Sequence, residues 1–412
     1  MKTKLNIIDL FAGCGGLSDG FKQAKKYNTV AVVEWEKYPC QTIKKRLSTK
    51  WKYKNAKDIV LNFDIQRTDE LLNGWTNDEK YGDNIGLKKI VNSTCIEVDM
   101  IVGGPPCQAY SVAGRSGGNK MYDDYRNYLF ESYLKVVNEF NPKIFVFENV
   151  PGMLSARPGG VLIIDRITEA FKKAGYIISD NLKEYALINC SEHGVPQARK
   201  RIIIVGIRMS DFNLNAQNVL KDFYKNILPK YKNSNIKTVK DAIGDLPALS
   251  PLKNPILENG KKKSHSLSEL KLLSHSPRFH SYRDINVFKE LTQDIEKGMF
   301  QYSNSNTLNK LYFETTGKTT NVHKYHVLRW DKPSTTITAH LYKDGLRHIH
   351  PDSKQARSIT VREAARLQSF DDDFDFIGPM GDQFKMIGNA VPPLFAKAIA
   401  LALHELIEKY KI

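Results

Sequence analysis

Short apolar runs alternate with amphipathic stretches through the first half of the chain. Leu5–Leu10, Thr29–Glu34, Asp99–Val102, Ile144–Glu148 and Arg201–Ile207 are rich in Ile, Val, Leu and Phe, as strands buried on both faces are. Between them, Leu17–Ala24, Tyr38–Leu47, Tyr128–Phe140 and Leu162–Ala174 space their apolar residues as helices do. Such alternation predicts an α/β fold, a mostly parallel sheet with helices on both faces. Ligands in such sheets bind beyond the carboxyl ends of the strands. The residues just after each run are therefore the candidates for chemistry.

The pattern changes after about Ile207. From Met209 to about Gln355 the chain is rich in Lys, Asn, Ser, His and Tyr, and helical periodicity weakens apart from Asp284–Lys297. Asn259-Gly260-Lys261-Lys262-Lys263-Ser264 reads as a basic loop. The α/β pattern then returns. Thr360-Val361-Arg362-Glu363 has the form of a capping box opening a helix over Val361–Gln368. Pro392-Pro393 leads an amphipathic helix over Leu394–Tyr410, since proline fits a first helical turn. The chain thus divides into residues 1–208, a mixed domain at 209–355 and a closing part at 356–412.

Composition narrows the partners. The 412 residues carry 61 Lys+Arg against 45 Asp+Glu, a formal charge of +16 that favours a polyanion. A solvated basic surface has the same composition, so charge alone does not decide. The five cysteines (Cys14, Cys40, Cys95, Cys107, Cys190) are odd in number and lack zinc-ligand spacing, which argues against a disulfide framework and a metal and fits the reducing cytoplasm. Asp9 interrupts the first apolar run and no small-residue cleavage site follows, so a signal peptide is not expected. No uncharged apolar run approaches the roughly 18 residues of a membrane helix.

The first strand runs into Phe11-Ala12-Gly13-Cys14-Gly15-Gly16-Leu17, a glycine turn suited to a nucleotide-like ligand. A dinucleotide fingerprint would place glycine where Ser18 stands. The next strand ends Val33-Glu34-Trp35. A carboxylate roughly 20 residues beyond a glycine turn can accept from both ribose hydroxyls, and Trp35 offers a flat face to adenine. Asp64, after the run Ile59–Phe63, can accept from an adenine amino group. Each carboxylate alone also reads as a cap or surface group; their order at successive strand ends favours a site.

After Asp99–Val102 comes Gly103-Gly104-Pro105-Pro106-Cys107-Gln108. Two prolines restrain the backbone and hold the Cys107 side chain at a strand end. A nucleophile is expected there, in surroundings that favour thiolate. The segment Ala109–Tyr125, rich in Gly and polar residues, reads as a loop that closes over a substrate. Glu148, flanked by Phe147 and Val150 around Asn149, sits in apolar company that should raise its pKa and let it carry a proton. Gln197-Ala198-Arg199-Lys200-Arg201 enters the last strand, and alternation sends Arg199 and Arg201 to one side.

At these residues the chain closely resembles the bacterial DNA (cytosine-5) methyltransferases of restriction–modification systems. The ordered motifs are Asp9 to Gly16, Gly104 to Gln108, Glu148-Asn149-Val150, Gln197 to Arg201, Arg362 to Phe370 and Gly388 to Pro393. The resemblance implies a Rossmann-like S-adenosylmethionine-dependent methyltransferase fold, with a mostly parallel seven-stranded sheet and a smaller, mixed target recognition domain at 209–355. It implies that Cys107 adds to carbon-6 of a flipped cytosine, that Glu148 meets ring nitrogen 3, that Arg201 holds the carbonyl oxygen and that Arg199 orders the site. Phe11, Gly13, Gly15, Gly16 and Leu17 match the contacts to the methionine end of S-adenosylmethionine. Glu34, Trp35, Asp64 and Ile65 match its ribose and adenine contacts, and Pro106, Leu129, Asn389, Ala390 and Val391 complete the pocket. Gln108, Ser111, Arg115, Gln197, Thr336 and Thr338 fall at positions that meet double-stranded DNA. His, Asn, Arg and Lys residues near Trp330–His350 are the base-reading candidates. A monomer without metal or membrane, acting beside a separate cognate endonuclease, is the implied setting.

Three rivals remain at this point: an RNA cytosine methyltransferase with the same motifs, a DNA-binding module without catalysis, and a nicotinamide-dependent dehydrogenase. The large basic insert disfavours the first. Cys107, Glu148 and Arg201 together disfavour the second, and Ser18 disfavours the third.

Overall fold

The computed structural model describes residues 4–93, 97–106, 128–211, 215–258, 260–266, 272–320 and 324–412. Cys107, Gln108, Ser111 and Arg115 lie outside the described residues, as does Cys95. The chain forms two compact units. The first comprises Met1–Gly194, Lys200–Ser234 and Ala390–Ile412, the second Val195–Arg199 and Asn235–Asn389. These limits differ from those read in the sequence. Residues up to Ser234 stay with the first unit, and the second continues through the capping-box helix to Asn389.

The first unit is built on β1 (Leu5–Leu10), β2 (Tyr27–Glu34), β3 (Val60–Asn62), the hairpin β4 (Trp75–Asp78) and β5 (Gly82–Asn84), β6 (Met100–Gly103), β7 (Ile144–Asn149), β8 (Tyr176–Ile178), β9 (Leu187–Asn189) and β10 (Lys200–Arg208). The main sheet has the order β3-β2-β1-β6-β7-β10-β8, and β9 pairs with the start of β10 as an eighth strand. Strands β3, β2, β1, β6 and β7 are parallel, while β10 runs antiparallel to β7, β8 and β9. The expected seven-stranded path is present. The extra strand is a three-residue segment whose brevity and lack of alternation hid it. Strand order reverses at β1, so the crevice beyond its carboxyl end is the topological switch point where ligands bind.

Helices α1 (Gly16–Gln23), α2 (Lys37–Thr49), α3 (Leu129–Phe140) and α4 (Ile163–Lys173) connect these strands, close to the ranges read from periodicity. The last helix, Pro393–Tyr410, packs against α1. That contact is very close. A Cβ on Gly16 would lie 2.1 Å from the Val391 carbonyl oxygen, and one on Gly20 would lie 2.4 Å from Ala396 Cβ. Glycine at both positions lets the end of the chain seal against the first turn. The apolar stretch within Met380–Tyr410 is mostly buried, so its apolar character belongs to protein core.

The second unit holds the hairpin β11 (Pro251–Glu258) and β12 (Lys261–His265), then α5 (Tyr282–Glu296), α6 (Ser305–Thr316), α7 (Val361–Leu367) and α8 (Met380–Asn389), which leaves Pro393–Tyr410 as α9. The lysine run expected as a loop lies largely in β12, because Lys261, Lys262 and Lys263 pair with Glu258, Leu257 and Ile256. Helix α6 has few buried residues, which is why periodicity did not reveal it. The capping box at α7 is present: Thr360 Oγ1 accepts from the Glu363 amide and Glu363 accepts from the Thr360 amide. One core cluster joins Ile285, Phe288, Leu291, Leu311, Tyr325, Val327 and Ile349. Beside it, fully buried Arg357 makes a bidentate pair with Glu363 at 2.7 and 2.6 Å.

Candidate active site

Strand register aligns the candidate residues. Leu10 pairs with Val33 on one side and Gly103 on the other, and Gly103 pairs with Phe147. The next residue on each strand is therefore Glu34, Phe11, Gly104 and Glu148, a single row across the carboxyl edge of four parallel strands. Three strand spacings separate its ends, about 14 Å at roughly 4.8 Å each. A ligand lying along this edge meets Glu34 at one end and Glu148 at the other.

At the first end, Phe11 takes φ +54, a strained conformation for a bulky residue and one that concentrates at functional sites. It turns the chain so that the Gly13 amide donates to Glu34 Oε2 at 2.8 Å. The Glu36 amide donates to the other oxygen at 2.8 Å. Burial pushes the Glu34 carboxyl up to about 7, against the pull of these amides. Each carboxylate oxygen has a further lone pair beyond the one an amide uses, so the group can still accept from a diol. Trp35 is 44% exposed beside it. Asn62 donates to the carbonyls of Glu34 and Trp35, fixing the turn that presents that ring. Asp64 is partly exposed and accepts from the Gln66 amide at 3.0 Å, and Ile65 is buried next to it. Donor set, exposed ring and strained turn together suit an adenosine-like ligand.

Under the turn, buried Asp9 accepts from both the hydroxyl and the amide of Ser18, at 2.5 and 3.2 Å. Ser18 thus supports the start of α1 and explains the missing third glycine. Burial raises the Asp9 carboxyl to about 7, with the Ser18 bonds opposing. Ala390 and Val391 come back to this same turn at Gly16. Gly15 and Leu17 are buried within it, while Asn389 ends α8 exposed. Cys14 and Cys40 are buried thiols pushed far up by desolvation, which removes them as nucleophiles.

At the other end, Glu148 is 9% exposed on β7. Arg201 Nε meets its Oε1 at 2.8 Å, with both side chains mostly shielded from water. Arg201 reaches this edge because β10 is antiparallel to β7 and begins where the parallel strands end. This ion pair joins β10 to β7 and has no signature in the local sequence pattern. Gly104 makes room for the carboxyl: a Cβ there would sit 2.7 Å from Glu148 Oε2. Buried Asn149 donates to the Pro105 carbonyl at 3.3 Å and accepts from the Val150 amide at 2.9 Å, tying the proline turn that precedes Cys107 to β7. Pro106 is partly exposed there, and Leu129 is buried at the head of α3. The Tyr133 hydroxyl lies 3.0 Å from the carbonyls of both Ile101 and Val146, bracing β6 and β7. Asn62 and Tyr133 escaped the sequence reading because each acts on backbone that is not adjacent in sequence, and the motif at Glu148-Asn149-Val150 did not show what Asn149 holds.

Gln197 and Arg199 lie before β10, so strand alternation does not reach Arg199, and both belong to the second unit. Both are fully buried. Gln197 donates to the Leu367 carbonyl and Gln368 Oε1 and accepts from the Ile337 amide. Arg199 donates to the carbonyls of Ile337 and Gly388 at 2.7 and 3.0 Å. Thr336 Oγ1 donates to the Ala198 carbonyl, while Thr338 is exposed. The glutamine and arginine here hold the segment carrying Thr336 and Thr338. Among the base-reading candidates, His340, Lys343 and Arg347 are exposed, whereas His348 and His350 are buried.

Comparison with known proteins agrees with this geometry. The profile of the family described as C-5 cytosine-specific DNA methylase matches residues 5–405. The chain is 35% identical to the Type II methyltransferase M.Bpa9945I of Bacillus paralicheniformis, covering 97% of this chain and 99% of that one. It is 32% identical to M1.HphI of Haemophilus parahaemolyticus, over 97% and 86%. The fold matches a DNA modification methyltransferase encoded within an Escherichia coli prophage, with TM-score 0.62, 24% identity and coverage of 98% and 100%. It also matches the S. pombe Dnmt2 methyltransferase, with TM-score 0.55, 13% identity and coverage of 99% and 100%. The chain belongs to the C-5 cytosine-specific DNA methylase family. It is a DNA cytosine-5 methyltransferase, and its methyl donor is of the class this family uses, S-adenosylmethionine. Among the described residues no group of His, Cys, Asp and Glu is arranged to hold a metal.

Proposed function

We propose that the chain methylates carbon-5 of one cytosine in a short duplex sequence, as the modification enzyme of a restriction–modification pair, with Cys107 as nucleophile and Glu148 and Arg201 as its partners. The row from Glu34 to Glu148 carries this reading, because it sets a ribose-binding carboxylate and a base-binding carboxylate on one edge. The target atom is hidden in the duplex, so the cytosine must leave the stack. The Cys107 thiolate then adds to carbon-6, the carbon-5–carbon-6 π pair shifts to a carbon-4–carbon-5 double bond, and the carbon-4–nitrogen-3 π pair settles on nitrogen 3. Glu148 holds a proton at ring nitrogen 3, and Arg201 donates to the carbonyl oxygen while fixing the Glu148 carboxyl. S-adenosylmethionine would supply the methyl group to carbon-5, its sulfonium–methyl bond breaking to leave the neutral thioether, with Glu34 holding its ribose and Trp35 and Asp64 its adenine. Carbon-5 then gives up its proton, and the thiolate departs as the double bond re-forms. The second unit reads the sequence, with Gln197 and Arg199 positioning its Thr336–Thr338 segment.

The test is covalent trapping. Fluorine at carbon-5 cannot leave as a proton does, so a duplex bearing 5-fluorocytosine at the methylated position stalls the adduct. The wild-type chain should form a species that survives denaturation, and Cys107→Ser should not. An active wild-type chain that forms no such species removes the covalent reading.

A further inference from the structure

The loop after α5 is built in an unusual way. Asp294, 3% exposed near the end of that helix, binds four successive amides of the loop. Its carbonyl accepts from Met299 and Phe300 at 3.0 and 3.5 Å. Its carboxyl oxygens accept from Gln301 and Tyr302 at 2.9 and 3.1 Å. Gly298 turns the chain at φ +68, and Phe300 then takes φ +53. A left-handed phenylalanine is a strained residue, of the same kind as Phe11 at the cofactor turn. Its neighbours do not bury the side chain that makes it costly: Met299 is 49% exposed and Phe300 46%. Within this unit the Arg329 guanidinium lies 5.6 Å from the Phe300 ring centre. Arg329 immediately precedes the Trp330–His350 segment.

A rigid, strained loop that holds two large apolar side chains in water is stabilised when something covers them. Substrate and local chemistry together favour one occupant. The chain carries +16, its substrate is DNA, and Arg329, which also pairs with the exposed Asp331 carboxylate at 3.4 Å, lies over one face of the ring as an arginine–aromatic platform. Such platforms stack on bases. Apolar side chains of this kind also wedge between base steps, which are loosened where a base is drawn out of the helix. We propose that the Met299–Phe300 tip is a DNA wedge, with Phe300 stacking on a base face at an opened step and Arg329 supplying the charge beside it. This inference rests on the second unit being the one that reads DNA.

The test uses the full chain and a labelled duplex carrying its own methylated site, and it compares Phe300→Gly with Phe300→Trp. Glycine removes the backbone strain together with the ring. Phe300→Gly should therefore keep or raise the melting temperature while weakening duplex binding by roughly 10-fold, within the range of single-base stacking contacts. Phe300→Trp should bind within about threefold of wild type, since tryptophan also stacks. The proposal is overturned if Phe300→Gly binds as wild type does. It is also overturned if the glycine variant melts markedly lower, which would make the ring a packing residue. A wild-type chain that methylates without sequence preference instead defeats the reading of the second unit, whatever the variants do.

Discussion

Gly104→Ala separates the reactive carboxyl from the stability of the fold. The new Cβ would stand 2.7 Å from Glu148 Oε2, where ordinary contact begins near 3.4 Å. The oxygen must retreat by about 0.7 Å, since a shorter approach is repulsive. It is the tip of a flexible side chain, so the fold yields cheaply. The backbone at residue 104 is not left-handed, and alanine even stiffens the unfolded chain by about 0.4–1 kcal/mol. Chemistry does not yield cheaply. Displacement on the scale of 1 Å costs up to about 100-fold when the misplaced group acts on the reacting atoms. Single-turnover methyl transfer should therefore fall roughly 10–100-fold, with the melting temperature and S-adenosylmethionine affinity close to wild type. Glu148→Asp withdraws the carboxyl by one methylene. In that background the alanine should cost much less, a non-additivity expected of directly coupled residues. A single-turnover rate within twofold of wild type, or strictly additive losses, refutes the argument.

Two further predictions concern pH. Glu34 is pushed up to about 7, and on the proposed reading it accepts from both ribose hydroxyls best when ionised. S-adenosylmethionine affinity should fall below pH 7, by up to about tenfold per unit, and Glu34→Gln should flatten that slope in calorimetry. Groups of the two units should also respond to acid in opposite directions, with buried His193 of the first unit siding with the histidines of the second. His265, His280, His348 and His350 in the second unit are pushed down by burial to about 4, 3, 3 and 3. Their unfolded forms take protons first as pH drops below about 6.5, so each removes up to about 1.4 kcal/mol per pH unit. Asp9 and Glu34 in the first unit are raised to about 7, so these two groups add stability as pH falls from 7 toward 5 and remove it as pH rises. Trp330 is the one tryptophan of four in the second unit, with His350 5.4 Å away. Its emission, isolated by difference from Trp330→Phe, should report unfolding at lower urea at pH 5 than at pH 7. An unchanged Trp330 midpoint contradicts the histidine argument.

How much of this was legible in the sequence depends on where the causes lie. The buried parallel strands stood out because Ile, Val and Phe run unbroken where both faces are covered, and their ends at Leu10, Glu34 and Asn149 agree with the reading within a residue. The row from Glu34 to Glu148 was legible as motifs, but its alignment needed the register that pairs Leu10 with Val33 and Gly103. The short strands β8 and β9 and the β11–β12 hairpin were not legible, because three-residue or lysine-rich strands show no periodicity. Gln197 and Arg199 looked like groups that touch substrate or its surroundings. Both make bonds to groups more than 130 residues away in sequence, the backbone of Ile337 and Gly388 and the Gln368 side chain among them, a role that no local pattern encodes. The left-handed turn at Phe300 likewise has no sequence signature, since glycine is what such a position ordinarily shows.

The most direct test of the central claim is expression of the chain, beside a Cys107→Ser control, in a host that lacks cytosine methylation, followed by bisulfite sequencing of the resident plasmid. Protected cytosines in one short sequence context, absent from the control, are the expected result. A soluble wild-type chain that binds S-adenosylmethionine and protects no cytosine would contradict the account.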